Sequence, residues 1–239
     1  HREGLAGHRV VVVAMEITGV GLTPEQVEAI TALAQCEMLE SGFTTVGEFH
    51  YLHHDVDGQP YADPGELAGR VCAAAARTGI ALTLLPVFYR HGGFGGATPT
   101  HGQRRFVTGV DDYEAIVASS RRHVSELPHG GVGIAPHSLR AASVEDIREI
   151  LPLADDGPIH IHVAEQQREV DACTAETGAR PVRYLRAHLD VDARWCLIHC
   201  THLDVAETEA LASTGGVVGL GPTTEANLGD GIFPAELYL

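Results

Sequence analysis

The stretch Ile159-His160-Ile161-His162-Val163-Ala164-Glu165 decides the fold. It is short, rich in β-branched residues and almost continuously apolar on one side, so it reads as a buried strand over 159–164. A helix over 180–189 follows, then a second apolar run, Trp195–His199. A helix over 204–213 and a strand over 216–221 complete this part. The same alternation extends toward the N-terminus. Thr23-Pro24-Glu25-Gln26 opens a helix: Thr caps it, Pro suits its first turn, and Glu25 suits its positive end. Val27, Ile30, Leu33, Ala34 and Met38 repeat with a helical period, Ser41-Gly42 ends the helix, and a strand follows over 44–49. A helix from Asp63-Pro64 through Ala76, a strand over 80–88, a helix within 110–127, a strand over 131–136 and a helix over 143–153 with a capping-box start fill the middle.

Six strands alternating with helices predict an α/β protein with a parallel sheet. Two architectures compete, an open doubly wound sheet and a closed (β/α)8 barrel. A whole barrel takes roughly 250 residues, or about 31 per unit. Six units over about 200 residues leave this chain some two strands short of that. No GxGxxG follows a first strand, which weakens the dinucleotide-binding form of the open sheet.

The polar residues favour the barrel. Glu48 and His50 end the first predicted strand, and His137 follows the strand over 131–136. His160, His162 and Glu165 lie at the end of the next, and His199 and His202 follow the one after. Thr223, Thr224, Glu225 and Asn227 follow the last. Barrel enzymes assemble their active sites at these C-terminal strand ends. His160 and His162, two apart in a strand, share a face. Neutral imidazoles suit zinc or another divalent transition metal, and a nearby carboxylate that is not a ligand suits proton transfer.

Composition limits the function. The chain of 239 residues carries 32 acidic against 16 basic residues, a net charge of −16. Such a surface repels phosphate backbones, so nucleic acid is not expected as a partner. An anionic substrate would need a local cluster of Arg and His. No apolar run approaches the length of a membrane span; Val10–Met15 is far too short. Arg2, Glu3 and Arg9 interrupt the start, so no signal peptide is expected. The odd count of five cysteines, without a CxxC pair, predicts reduced thiols and a cytoplasmic location. The loop over 92–102 is Gly-rich and too long for a plain connection, which marks it as functional.

Five motifs carry a resemblance. Glu48-Phe49-His50-Tyr51-Leu52-His53-His54-Asp55, His137-Ser138-Leu139-Arg140-Ala141, the runs HIHVAEQQ from His160 to Gln167 and WCLIHCTH from Trp195 to His202, and Thr224 to Pro234 occur in the order and spacing of one family. On them the chain resembles the formimidoylglutamate deiminases of the amidohydrolase superfamily, over about residues 23–239. The resemblance implies a (β/α)8 barrel with one divalent metal ion, zinc, and hydrolysis of N-formimidoyl-L-glutamate to N-formyl-L-glutamate and ammonia in histidine degradation. It implies that His162 is a metal ligand, Glu165 the proton shuttle, and His199 the group that polarises or orients the attacking water. His137, Arg140 and Tyr51 become contacts to a small anionic, amino-acid-derived substrate, and a homodimer is expected.

The chain departs from the family at both ends. No His-x-His pair precedes residue 23, and residues 8–22 diverge from the family pattern. The family's last-strand Asp is not reached by Leu239. The expected layout is therefore a divergent segment over 1–22 and a partial barrel domain over 23–239, truncated at both ends, with weak metal binding. Two alternatives stay open: another deaminase of the superfamily acting on a cyclic amidine or purine, and a catalytically incomplete remnant domain.

Overall fold

The computed structural model describes the backbone of Val10–Ala14 and residues 21–239. These residues form two compact units. One takes residues from 1–87 and 100–133, the other residues 88–99 and 134–239.

In the first unit β1 (Val10–Ala14), β2 (Thr45–His50), β3 (Ala81–Phe88) and β4 (Gly130–Val132) lie side by side in chain order, all parallel. Phe88, the last residue of β3, belongs to the second unit. Three helices connect the strands: α1 (Pro24–Glu40), α2 (Glu66–Thr78) and α3 (Val110–Val124). α1 begins as its sequence demands, with a capping box between Thr23 and Gln26 and Pro24 in the first turn. α2 starts three residues later than its sequence suggests. Asp63 stands ahead of it, where its carboxylate accepts from Gly65 N and from the Ser119 hydroxyl. Gly79, at φ +81°, ends α2 in a left-handed cap that other residues rarely adopt. The core joins Val27 of α1, Val46 of β2, Leu67, Val71 and Ala75 of α2, and Leu82 and Leu84 of β3.

In the second unit Ile134 bridges to Ile159 in parallel, next to the short β5 (Ala135–Pro136). β6 (Ile159–Val163), β7 (Trp195–His199) and β8 (Val217–Gly219) continue as a parallel sheet in chain order. The helices are α4 (Val144–Ile150), α5 (Gln167–Thr177), α6 (Pro181–His188), α7 (Val205–Ala212), α8 (Pro222–Leu228) and α9 (Ala235–Tyr238). α4 carries the expected capping box between Ser143 and Asp146. In β6 Ile159, Ile161 and Val163 are fully buried while His160 and His162 take the other face.

The structure corrects or completes the expected elements at four places. The strand expected over 131–136 is two elements, β4 and β5, separated by Gly133 and Ile134. An additional strand, β1, lies inside the segment judged divergent; the rest of residues 1–20 lies outside the described residues. A whole helix, α5, was not expected between β6 and α6. Thr223, Thr224, Glu225 and Asn227 do follow the last strand, β8, and there they form the body of α8. No described helix is long and apolar enough to cross a membrane.

Candidate active site

The second unit gathers three of the expected histidines. The His137 and His162 rings stack with centroids 5.1 Å apart, and the His162 and His199 rings lie 5.5 Å apart. Each stands at or just past the C-terminal end of a parallel strand segment, so neighbouring strands bring them together.

His162 Nδ1 lies 3.1 Å from the carbonyl of His137, which can only accept. The ring proton therefore sits on Nδ1 and Nε2 carries the lone pair. Burial, followed by the neighbouring His199, pulls the His162 pKa down to about 3, so the ring is neutral. His137 is held neutral in the same way, by burial first and then by His162 and Arg140. Its Nδ1 lies 2.8 Å from the Ser138 hydroxyl, and the Tyr89 ring packs edge-on with a centroid 4.8 Å away. Arg140 acts electrostatically on His137, His162 and Glu169, and its buried Nε makes no hydrogen bond.

His199 stands between two carboxylates. Its Nε2 lies 3.3 Å from Glu165 Oε1, and its Nδ1 lies 3.1 Å from Glu225 Oε1. The backbone around this pair is strained. Ala164, His199 and Cys200 have φ of +52°, +72° and +51°, left-handed values that cost a side-chain-bearing residue about 1–3 kcal/mol each. Hydrogen bonds hold the strain in place: Cys200 N donates to Val163 O at 3.1 Å, and His202 N to Ala164 O at 3.0 Å. The Glu169 carboxylate accepts from Ala164 N and Glu165 N, both at 3.0 Å. Both β6 and β7 thus end in fixed left-handed turns that present Glu165 and His199 to each other.

Sequence reasoning missed the roles of Glu169 and Glu225. Glu169 lies in the first turn of α5, the helix that was not expected. Glu225 was noted only as a polar residue past the last strand. The signal was present: Pro222 suits a first helical turn and Gly229 a left-handed stop, which together place Glu225 in mid-helix.

Tyr51 belongs to the first unit, where it is buried with its ring edge-on to Phe106. His50 and His53, also there, have ring centroids 5.6 Å apart, and burial lowers their pKa values to about 4 and about 3. Glu48 is buried beside them in sequence, and burial alone raises its carboxyl pKa to about 8.

A divalent metal fits these residues in part. An imidazole whose Nδ1–H is pinned by a backbone carbonyl and whose Nε2 carries the lone pair is the usual form of a histidine ligand, and His162 has it. Among the described residues, however, no three His, Cys, Asp or Glu side chains are grouped to hold an ion.

The chain was compared with known proteins. Over 219 residues it is 51% identical to the formimidoylglutamate deiminase of Pseudomonas aeruginosa, covering 91% of this chain and 48% of that protein. It is 30% identical to a 5-methylthioadenosine/S-adenosylhomocysteine deaminase of Natronomonas pharaonis, covering 91% of this chain and 45% of that protein. The crystal structure of an amidohydrolase from Brucella melitensis superposes with a TM-score of 0.90 at 50% identity, over 92% of this chain and 49% of the other. The chain thus spans about half the length of the curated relatives it matches. The amidohydrolase family model matches residues 6–239. The chain therefore belongs to the amidohydrolase family.

Proposed function

We propose that the protein carrying this chain hydrolyses the C–N bond of a linear amidine, N-formimidoyl-L-glutamate, to N-formyl-L-glutamate and ammonia, the closing nitrogen release of a histidine breakdown route. The observation that carries the substrate class is Arg140. It is a half-buried cation beside two neutral imidazoles, with a buried Nε that makes no hydrogen bond. An arginine fork matches a carboxylate, and in a chain of net charge −16 it supplies the local positive site an anionic substrate requires. The 51% identity to the Pseudomonas aeruginosa deiminase supports the same reading.

The residues divide the work. Arg140 and His137 hold the substrate carboxylate and so fix the formimidoyl carbon. Glu165 accepts a proton from the attacking water and returns one to the terminal nitrogen, which leaves as ammonia. The water oxygen stays on carbon, so amidine and water become formamide and ammonia. His199, 3.3 Å from Glu165, orients the water and shares its proton. His162 would be one ligand of a divalent ion, zinc in this reading, which when bound makes water a nucleophile near neutral pH. In this reading the enzyme is a cytoplasmic homodimer with the (β/α)8-barrel fold of its family.

The test is ammonia release by the zinc-loaded protein from formimidoylglutamate and, separately, from 5′-methylthioadenosine. Release from the first alone is expected. Release from the nucleoside alone would replace this reading with the purine deaminase that the Natronomonas pharaonis relative represents.

A further inference from the structure

We propose that Glu225 is a positioning residue for the reaction just described: it keeps the His199 proton on Nδ1, so that only Nε2 exchanges protons with Glu165 and the reacting water. The proposal rests on that functional reading. α8 runs Pro222–Leu228, and Gly229 closes it in a left-handed cap at φ +70°. This short element turns Glu225 back toward the end of β7. Glu225 is buried, and a single oxygen, Oε1, meets both His199 Nδ1 at 3.1 Å and the backbone N–H of Gly221 at 2.9 Å.

The Gly221 bond decides the proton's place. A backbone N–H can only donate, so Oε1 accepts there, and as a carboxylate oxygen it can only accept at Nδ1 as well. An acceptor facing Nδ1 requires the proton on the ring. The proton therefore stays on Nδ1 whether or not Nε2 is protonated. The second ring nitrogen faces Glu165, at 3.3 Å, so that proton traffic runs on one side of the ring only. The groups facing His199 are Glu165, Glu225 and the neutral His162, and the two carboxylates take opposite ring nitrogens. The backbone supports the same geometry, because His199 is held at φ +72° while Cys200 N is bonded to Val163 O. Glu225 anchors the ring at Nδ1, the nitrogen that faces away from Glu165.

The experiment compares the zinc-loaded protein with its Glu225→Gln and Glu225→Leu variants. Thermal melting first checks that each variant folds. Two-bond proton–nitrogen spectra of histidine-labelled protein, assigned with His199→Asn, read the tautomer directly. In the parent protein Nδ1 is expected to carry the proton, and in Glu225→Leu the ring is expected to shift toward the Nε2–H form. For formimidoylglutamate, Glu225→Leu should lower kcat by roughly 10²-fold to 10⁴-fold, the range seen when a catalytic imidazole loses its orienting carboxylate, with KM nearly unchanged. Glu225→Gln keeps an acceptor oxygen for both donors and should recover at least about tenfold of that loss. A parent His199 with an unprotonated Nδ1 overturns the proposal. So does a folded Glu225→Leu with parental kcat. Should Glu225→Leu not fold, the Gln variant and the parent spectrum decide alone. Absence of ammonia release by the parent protein defeats the functional reading, and the spectrum still judges Glu225.

Discussion

In the proposed reaction, substrate recognition turns on Arg140 and proton transfer on Glu165. If Arg140 meets a substrate carboxylate, Arg140→Met should lower kcat/KM for formimidoylglutamate by about 2–5 kcal/mol, the scale for removing one partner of a buried charge pair. A substrate analogue with that carboxylate converted to an amide should lose much less on the same substitution. Strictly additive penalties in this enzyme–substrate cycle would remove Arg140 from the substrate contact. Glu165 is tested differently. Glu165→Gln keeps size and hydrogen-bonding reach but cannot carry a proton, so ammonia release should fall by about two to four orders of magnitude. Zinc content, measured by elemental analysis, should not change. Near-parental turnover would show that another group moves the proton. The sequence singles out Glu165 by the strand end it follows, two residues past Val163, and Arg140 by the motif that begins at His137, four residues past Pro136. It does not single out their partners, because hydrogen bonds such as Glu225–His199 close over 26 residues of intervening chain.

At the scale of elements, the strands were easy and α5 was not. Strands β2, β3, β6 and β7 are apolar runs with clean boundaries, and their positions follow directly from the residues. β5 has only two residues and β4 only three, too short for a period to register. α5 hides for another reason: it buries only Glu169, Val170 and Cys173 of its eleven residues, so no apolar stripe announces it. One of those three is the helix's contribution to the site. Glu169 spans the β6–α5 turn and satisfies two backbone donors at once. Burial raises its pKa, yet Arg140 and the two N–H groups work against that shift. Glu169→Leu should leave both donors without an acceptor, and each buried orphan costs about 1–3 kcal/mol. Urea denaturation should therefore show a loss of roughly 2–6 kcal/mol, the sum of two such terms. Turnover should fall with it, as Ala164 is released from φ +52° and Glu165 loses its aim. A variant of parental stability would mean that the turn holds itself.

For the whole molecule, the buried ionisable groups of the first unit predict a stability optimum near neutral pH. His50 and His53 have pKa values lowered by burial to about 4 and about 3. Unfolded, each returns to about 6.5. Between these values the unfolded chain binds protons that the folded chain refuses. Their contribution is complete above about pH 6.5 and is lost as pH falls toward 4. Glu48 works in the opposite direction. Its folded pKa is about 8, raised by burial, against roughly 4.3 unfolded. Here the folded chain keeps a proton that the unfolded chain has released, so this contribution is complete below about pH 4 and is lost as pH rises through 8. Two histidines outweigh one carboxyl on the acid side, and Glu48 acts alone on the alkaline side. His160 and His162 of the second unit, lowered by burial to about 4 and about 3, act in the same direction as His50 and His53, so urea midpoints should rise from about pH 4.5 to about 7 and decline from there to about pH 8. The alkaline limb can be assigned by Glu48→Gln, which removes the titrating carboxyl at nearly constant volume. The variant's midpoint should not fall between about pH 7 and 8, where the parent's does. A variant that declines as steeply as the parent would place the alkaline loss elsewhere and leave Glu48 ionised in the folded core.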